Sequence, residues 1–156
     1  MSFSAEVDLS DLEAFIDQQA DAVEASIRPA AQAGAQVLYE AVVRNVASIG
    51  RVTGNLQRSI YQVFSEDKSN DFLATYHVSW NARKAPHGHL VEYGHLQRYE
   101  ITYDPVTRRF TTHKDRPLAE PKHVAAHPFI RPAQAAMPAA IAAAKAELYR
   151  RLDTKS

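Results

Sequence analysis

The sequence predicts an α+β fold made of a long, kinked N-terminal helix, a small antiparallel sheet of about four strands in two hairpins, and a C-terminal helix. Apolar residues recur at steps of three and four near both ends of the chain, which is the helical period. The middle of the chain is rich in aromatic and β-branched residues separated by polar turns, which is typical of hairpins. A chain of 156 residues can bury a core, so we expect a single domain over residues 1–156.

The N-terminal helical segment is predicted over residues 9–48. Ser10 as N-cap and Glu13 three residues later form a capping box, which starts a helix. Pro29 lacks a backbone N–H and should kink this segment or divide it into two consecutive helices. The predicted apolar face comprises Leu12, Phe15, Ile16, Ala20, Val23 and Ile27 before the proline, and Ala33, Val37, Leu38, Ala41, Val42 and Val46 after it.

A turn is predicted where this helix ends. Gly50 and Gly54 break the periodic pattern, and Thr53 and Asn55 are residue types that favour turns and helix caps. They lead into a short helical turn from which Leu56 is expected to pack inward. The glycine-containing sequence is no phosphate-binding loop, because the second glycine and the Gly-Lys-Ser/Thr ending are missing.

The antiparallel sheet is expected over residues 59–114. Its first hairpin joins the stretches 59–65 and 71–80 through the polar turn "EDKSND". Its second hairpin joins 98–103 to 108–114 through a turn that Asp104-Pro105 begins, because proline presets φ at the second turn position.

A proline-rich extended arm is predicted over residues 115–130, since three prolines should prevent a regular strand ladder there. The C-terminal helix is expected over 131–153, with Pro132 at its start and Pro138 either interrupting it or belonging to its first turn. Its predicted apolar stripe comprises Met137, Ile141, Ala144, Leu148 and Leu152.

Composition excludes several function classes. There is no cysteine, which excludes disulfide scaffolds, thiolate zinc sites and cysteine nucleophiles. The formal net charge is zero, so the chain has no overall positive charge that would attract nucleic acid or an anionic membrane. No signal peptide or membrane span is expected from the apolar pattern. Acidic residues dominate the first 27 positions and arginines come later, a distribution that favours pairing within the chain or between subunits.

The stretch "APHGHLVEYGH" is the strongest candidate for chemistry. His87, His89, Glu92 and His95 are all residue types that bind metals, and they lie within nine positions. A metal-dependent hydrolase or nuclease is therefore the alternative hypothesis. The flanking glycines break both the strand and the helix that would align these side chains, which favours a structural elbow with a short helical turn that buries Leu90, Val91 and Tyr93. A third hypothesis, nucleic-acid binding through Arg108 and Arg109, finds little support in a neutral chain.

Three segments together resemble the small head–tail junction proteins of tailed phages, known as minor tail components, neck proteins or tail-completion proteins. They are "RVTGNLQRSI" (51–60), "APHGHLVEYGH" (85–95) and "AHPFIRPA" (126–133), in the order and spacing typical of that family. The resemblance spans about residues 10–150. The residues that fall on the family motifs are Thr53, Gly54, Asn55 and Leu56, then Glu92, Tyr93 and Gly94, then Pro128, Phe129, Arg131 and Pro132. Many relatives carry Thr after the glycine, where this chain has His95.

The resemblance implies a non-enzymatic virion protein without cofactors, assembled in the host cytoplasm and arranged as a homo-oligomeric ring at the head–tail junction. Its implied partners are head-completion or connector proteins and tail proteins, with no membrane and no specific nucleic acid. We expect the acidic helix and the loops at 66–71 and 115–123 to be the contact surfaces. We also expect Glu92 and Arg131 to meet in a partly buried salt bridge that joins the elbow to the C-terminal arm, with Phe129 as the anchor of that arm. Gly54 and Gly94 are expected in backbone conformations that are costly for other residues.

Overall fold

A computed structural model describes residues 10–50 and 54–154, with side chains from residue 16 onward. The fold class is as predicted: a long N-terminal helix, four strands in two antiparallel hairpins, and a C-terminal helix. The hairpins form two separate two-stranded sheets. In chain order the elements are α1 (Ser10–Ile49), α2 (Asn55–Ser59), β1 (Ile60–Asn70), β2 (Leu73–Trp80), α3 (Gly88–Tyr93), β3 (His95–Asp104), β4 (Arg109–Val124), a 3₁₀ segment (Arg131–Ala136) and α4 (Met137–Asp153). The predicted capping box and Thr53 lie outside the described side chains.

Helix α1 is continuous through Pro29, so the one-helix alternative is correct. In its first half the predicted apolar face is wrong at two positions: Ile16 is 55% exposed, and Ala20 is exposed as well. Val23 and Ile27 are half-buried, and Leu12 and Phe15 lie outside the described side chains. The buried positions are instead small residues at four-residue steps, namely Ala22, Ser26, Ala30 and Gly34.

This row of small residues lies where α4 packs on α1. A Cβ atom at Gly34 would approach the carbonyl oxygen of Ala140 to 3.0 Å, so the two backbones come very close. At the other end of the contact, Leu152 lies beside Ala22, which makes the two helices antiparallel. Helices approach this closely only where the side chains between them are small, and that explains why the larger apolar residues Ile16, Met137 and Ile141 remain exposed.

The predicted C-terminal helix over 131–153 is divided into two elements. Residues 131–136 form a 3₁₀ segment with Pro132 in its first turn, and α4 begins at Met137 with Pro138 in its first turn. The predicted stripe is wrong at Met137 and Ile141, which are 43% and 50% exposed, whereas Ala140 is buried.

The first hairpin lies on the second half of α1. Ile60 pairs with Trp80 and Phe64 with Tyr76, and this face contacts the helix, where Gln62 donates a hydrogen bond to Gln36 across 2.7 Å. The central core forms where the helix, this hairpin and the C-terminal arm meet. It comprises Ala41, Val42, Val46, Ile60, Phe129 and Ala133.

The second hairpin is longer than predicted, because β4 continues to Val124 through most of the segment expected to be an extended arm. Tyr99 pairs with Pro117 and Gln97 with Lys122, with register shifts on both sides of Tyr99. Both strands of a two-stranded sheet have a free edge, so a proline that lacks an N–H can be accommodated there. The arm without strand pairing is therefore restricted to residues 125–130.

Candidate structural site at the Glu92 junction

Glu92 is the centre of the junction between the elbow and the C-terminal arm. It lies on α3, yet its side chain is only 2% exposed. Its Oε2 atom accepts hydrogen bonds from the backbone N–H of Phe129 at 2.7 Å and of Ile130 at 3.0 Å. Its Oε1 atom accepts one from the backbone N–H of Arg131 at 3.2 Å. The carboxylate thus caps the start of the 3₁₀ segment, whose first N–H groups have no partner within the segment.

Arg131 completes the junction from the solvent side. Its Nε donates to Glu92 Oε1 at 3.1 Å, and its Nη2 donates to the backbone carbonyl of Glu92 at 2.7 Å. The guanidinium also lies 5.1 Å from the centre of the Tyr93 ring, within range of a cation–π contact. The predicted Glu92–Arg131 salt bridge is therefore confirmed, with a buried acid and an arginine side chain that is 54% exposed.

The protonation state of Glu92 follows from these contacts. Burial alone would raise the pKa of its carboxyl, but the N–H groups of Ile130, Phe129 and Arg131 and the Arg131 guanidinium outweigh burial. The net result is a pKa below the ordinary 4.5, because each of these donors stabilises the charged form. Glu92 is thus ionised at neutral pH.

Phe129 anchors the arm in the core, as predicted. It is fully buried and meets the Trp80 ring edge-to-face at a centroid distance of 5.5 Å. Its carbonyl accepts a hydrogen bond from Asn45 of α1 at 2.9 Å. The elbow itself is held by the N–H of His127, which donates to the Val91 carbonyl at 2.8 Å. Helix, elbow and arm are thus joined around Phe129.

Two of the predicted glycine positions have the expected backbone conformation. Gly54 has φ +73° and Gly94 has φ +72°, a region that disfavours residues with a Cβ. At Gly94 a Cβ atom would also lie 2.7 Å from the Val124 carbonyl oxygen. Gly94 is therefore required both for its dihedral angles and for the close approach of β4.

A third glycine contact was missed by sequence reasoning. A Cβ atom at Gly88 would lie 2.3 Å from Trp80 Nε1 and 2.7 Å from two ring carbons, so α3 and the indole touch directly. Within the described residues the Trp80 N–H has no hydrogen-bond partner. The sequence carries no signal for this contact, because the spacing of Gly88 and Trp80 does not indicate that they meet.

The other predicted motif residues lie around the junction. Leu56 packs against the core and Pro128 is half-buried, while Asn55 and Pro132 are exposed at the starts of α2 and the 3₁₀ segment. Asn55 accepts a hydrogen bond from Arg58 at 2.8 Å. The expectation that Tyr93 is buried is wrong: it is 67% exposed, because α3 turns it outward toward Arg131.

The histidines do not assemble into a metal centre in the part of the chain that the structure describes. No group of three or more potential ligands forms among the described residues. Both oxygens of Glu92 are engaged by the arm, while His87 and His89 are exposed and His95 begins β3. Desolvation, followed by the neighbouring His89, lowers the pKa of His87 below 6.5.

One comparison with known proteins supports the motif resemblance. A family model described as "Bacteriophage HK97-gp10, putative tail-component" matches residues 10–94, which is more than half of the chain. This range contains α1, the first hairpin and Glu92, and it ends before the second hairpin and the "AHPFIRPA" segment. No curated protein and no solved structure matches. Among the described helices, none has the length and apolar character needed to cross a membrane.

Proposed function

Because the chain belongs to the HK97 gp10-like family of bacteriophage tail components, we propose that it is a virion protein of the head–tail junction that acts by oligomeric docking. In this role it is a neck or tail-completion protein with no catalytic activity. Its partners are head-completion or connector proteins on one side and tail proteins on the other. Assembly takes place in the host cytoplasm, and the copies form a ring in the particle.

The observation that supports this proposal is the number of large hydrophobic side chains that are exposed to solvent. Fifteen large hydrophobic residues of the described chain are exposed, among them Phe72 at 69%, Val106 at 90% and Phe110 at 57%. Apolar residues that are exposed in groups on a small protein mark surfaces that associate with other proteins. The Glu92 junction, in contrast, is fully occupied by contacts within the chain, which fits a structural rather than a chemical role.

Deletion of the gene from the phage that carries it tests this proposal. We expect filled heads and free tails that do not join, and we expect joined particles to return when the gene is supplied in trans. Electron microscopy of negatively stained lysates measures the joined fraction. Normal joined particles in the deletion phage would show that the protein has no part in head–tail joining.

A further inference from the structure

The second hairpin is an amphipathic ribbon. Ile101 pairs with Thr112 and Tyr103 with Phe110, so these side chains share one face, and Tyr99 lies on the same face two residues before Ile101. Tyr103 and Phe110 are in ring contact at a centroid distance of 4.9 Å. The opposite face is polar and carries Glu100, Thr102, Asp104, Arg109, Thr111 and His113.

The apolar face of this ribbon is uncovered. Tyr99, Ile101, Tyr103 and Phe110 are between 38% and 57% exposed, and among the described elements the main contacts of β3 and β4 are with each other. Antiparallel sheets with one apolar face normally pack that face on a core. An isolated two-stranded hairpin is only marginally stable in water, so this ribbon gains stability when its apolar face is covered.

The first hairpin presents a second uncovered strand face, whose apolar residues lie on β1 and at the start of β2, while the β2 partners Ser79 and His77 are polar. On the first hairpin, Tyr61 and Val63 point away from α1 and are 40% and 48% exposed. Leu73, on the same side of β2 by the strand register, is 53% exposed. Two such faces can pack on each other as the sheets of a sandwich do, at about 10 Å.

The turns of the two hairpins carry opposite charges. The end of the first hairpin has three exposed acids, Glu66 and Asp67 on the irregular last part of β1 and Asp71 in the turn, with the single base Lys68. The ribbon turn carries Arg108, which is exposed, whereas Arg109 begins β4 on the polar face of the ribbon. Asp104 fixes this second turn by accepting hydrogen bonds from the Val106 N–H at 2.8 Å and the Thr107 hydroxyl at 2.6 Å.

We propose that the apolar face of the ribbon in one copy of the chain packs on the outer face of the first hairpin in a second copy. The occupant is a second copy because the chain itself offers both exposed apolar residues along β1 and a cluster of acids at the end of the first hairpin. When the two hairpins stack with their turns together, the apolar residues of the ribbon meet those of β1, and Arg108 meets the acids. The contact joins two different surfaces, and head-to-tail contacts of this kind form a ring when the rotation between neighbouring copies closes. The inference rests on the proposed function and names the contact between copies.

Single-cysteine variants of the full chain test this contact directly, because the natural sequence has no cysteine. One variant carries Phe110→Cys on the ribbon and the other carries Val63→Cys on the first hairpin, each with a tag of different size. The two are mixed over a dilution series and treated with a short thiol-to-thiol crosslinker. We expect the mixed dimer as the main product. The matched control is Thr102→Cys, on the opposite face of the same ribbon, which we expect to crosslink poorly to Val63→Cys.

A charge exchange provides the second readout. We expect Arg108→Glu in the Phe110→Cys chain to lower the mixed-dimer yield about tenfold, since opposite charges become like charges. Glu66→Arg with Asp67→Arg in the Val63→Cys chain should restore the yield. All of these positions are exposed, so circular dichroism is expected to show an unchanged fold.

Two results would overturn the proposal. One is a Phe110→Cys chain that crosslinks mainly to itself, which would mean that ribbons pair with ribbons. The other is a mixed-dimer yield no higher than that of the Thr102→Cys control at every concentration. The deletion phage tests the proposed function separately. If it lacks joined particles, the function stands even when crosslinking refutes the contact between copies. If it forms joined particles, the function is refuted, but the crosslinking result for the contact still holds.

Discussion

Glu92 is an acid withdrawn from water and surrounded by donors from a segment about forty residues away. Its replacement by alanine would leave three backbone N–H groups without their acceptor. Buried donors of this kind each cost free energy when unpaired, so the carboxylate fixes the direction in which the arm leaves the elbow. The residue thus contributes more through its acceptor atoms than through its ion pair with the half-exposed Arg131.

We expect Glu92→Ala to lower the free energy of unfolding by about 3 kcal/mol. Arg131→Ala should cost about 1 kcal/mol, because this side chain remains half in solvent. Urea unfolding of both single variants and the double variant gives their coupling, which we expect to exceed about 0.5 kcal/mol. Arg44→Ala, which removes an exposed pair with Glu40 at 4.0 Å, is the control and should change little. Additive effects at Glu92 and Arg131 would refute the coupling.

The pH dependence of stability gives a separate test at the same residue. The pKa of Glu92 is lower in the folded protein than its ordinary 4.5, so its stabilising contribution is fully present above that pH. The contribution is lost as the pH falls through the folded-state pKa. We expect the stability difference between the natural protein and Glu92→Gln to be constant near neutral pH and to shrink in acid. A difference that stays constant into strong acid would contradict the lowered pKa.

Sequence reasoning located the residues of this junction but gave them incomplete roles. The charged residues of the family-like motifs "VEYG" and "HPFIRP" suggested an ion pair, and that pair is present. The sequence could not predict the three backbone donors, because almost every residue type carries a backbone N–H group. It also placed Tyr93 inside, since an aromatic residue in a short apolar run is usually buried.

At the scale of elements, contact between α3 and β2 depends on one glycine. We expect Gly88→Ala to destabilise the protein by about 1–3 kcal/mol, because the added methyl group would overlap the indole of Trp80. Trp80 is the only tryptophan in the sequence, so its fluorescence should change in the folded variant. His89→Ala, an exposed change on the same helix, is the control. An unchanged spectrum and stability for Gly88→Ala would show that α3 moves freely.

The types of the elements were predictable from the sequence, whereas the faces through which they pack and the lengths of the strands were harder to predict. The strand periods and the Asp104-Pro105 turn predicted both hairpins. The turn predicted at 66–71 was wrong in its bounds, because β1 continues irregularly to Asn70 and only residues 71 and 72 form the turn. The apolar face of the first half of α1 was misjudged, since the helix pairs through Ala22, Ser26 and other small residues rather than through large ones. The length of β4 was underestimated because the prolines lie on strands with a free edge, where they are tolerated.

The whole molecule combines a well-held centre with an uncovered ribbon. The centre joins α1, the first hairpin and the arm around Phe129, and it lies largely in the part of the chain that the family match covers. The ribbon lies beyond that match, and its apolar residues face solvent. A virion protein with this division has a fixed body and a surface that gains stability on association.

The most direct measurement of the central claim is the position of the protein in the particle. Antibodies raised against the purified chain, coupled to gold, can be applied to intact phage particles and viewed by electron microscopy. We expect gold at the boundary between head and tail in complete particles and at one end of free heads or tails in mutants that fail to join. Particles without label at that boundary, or with label along the tail or over the head shell, would contradict the account.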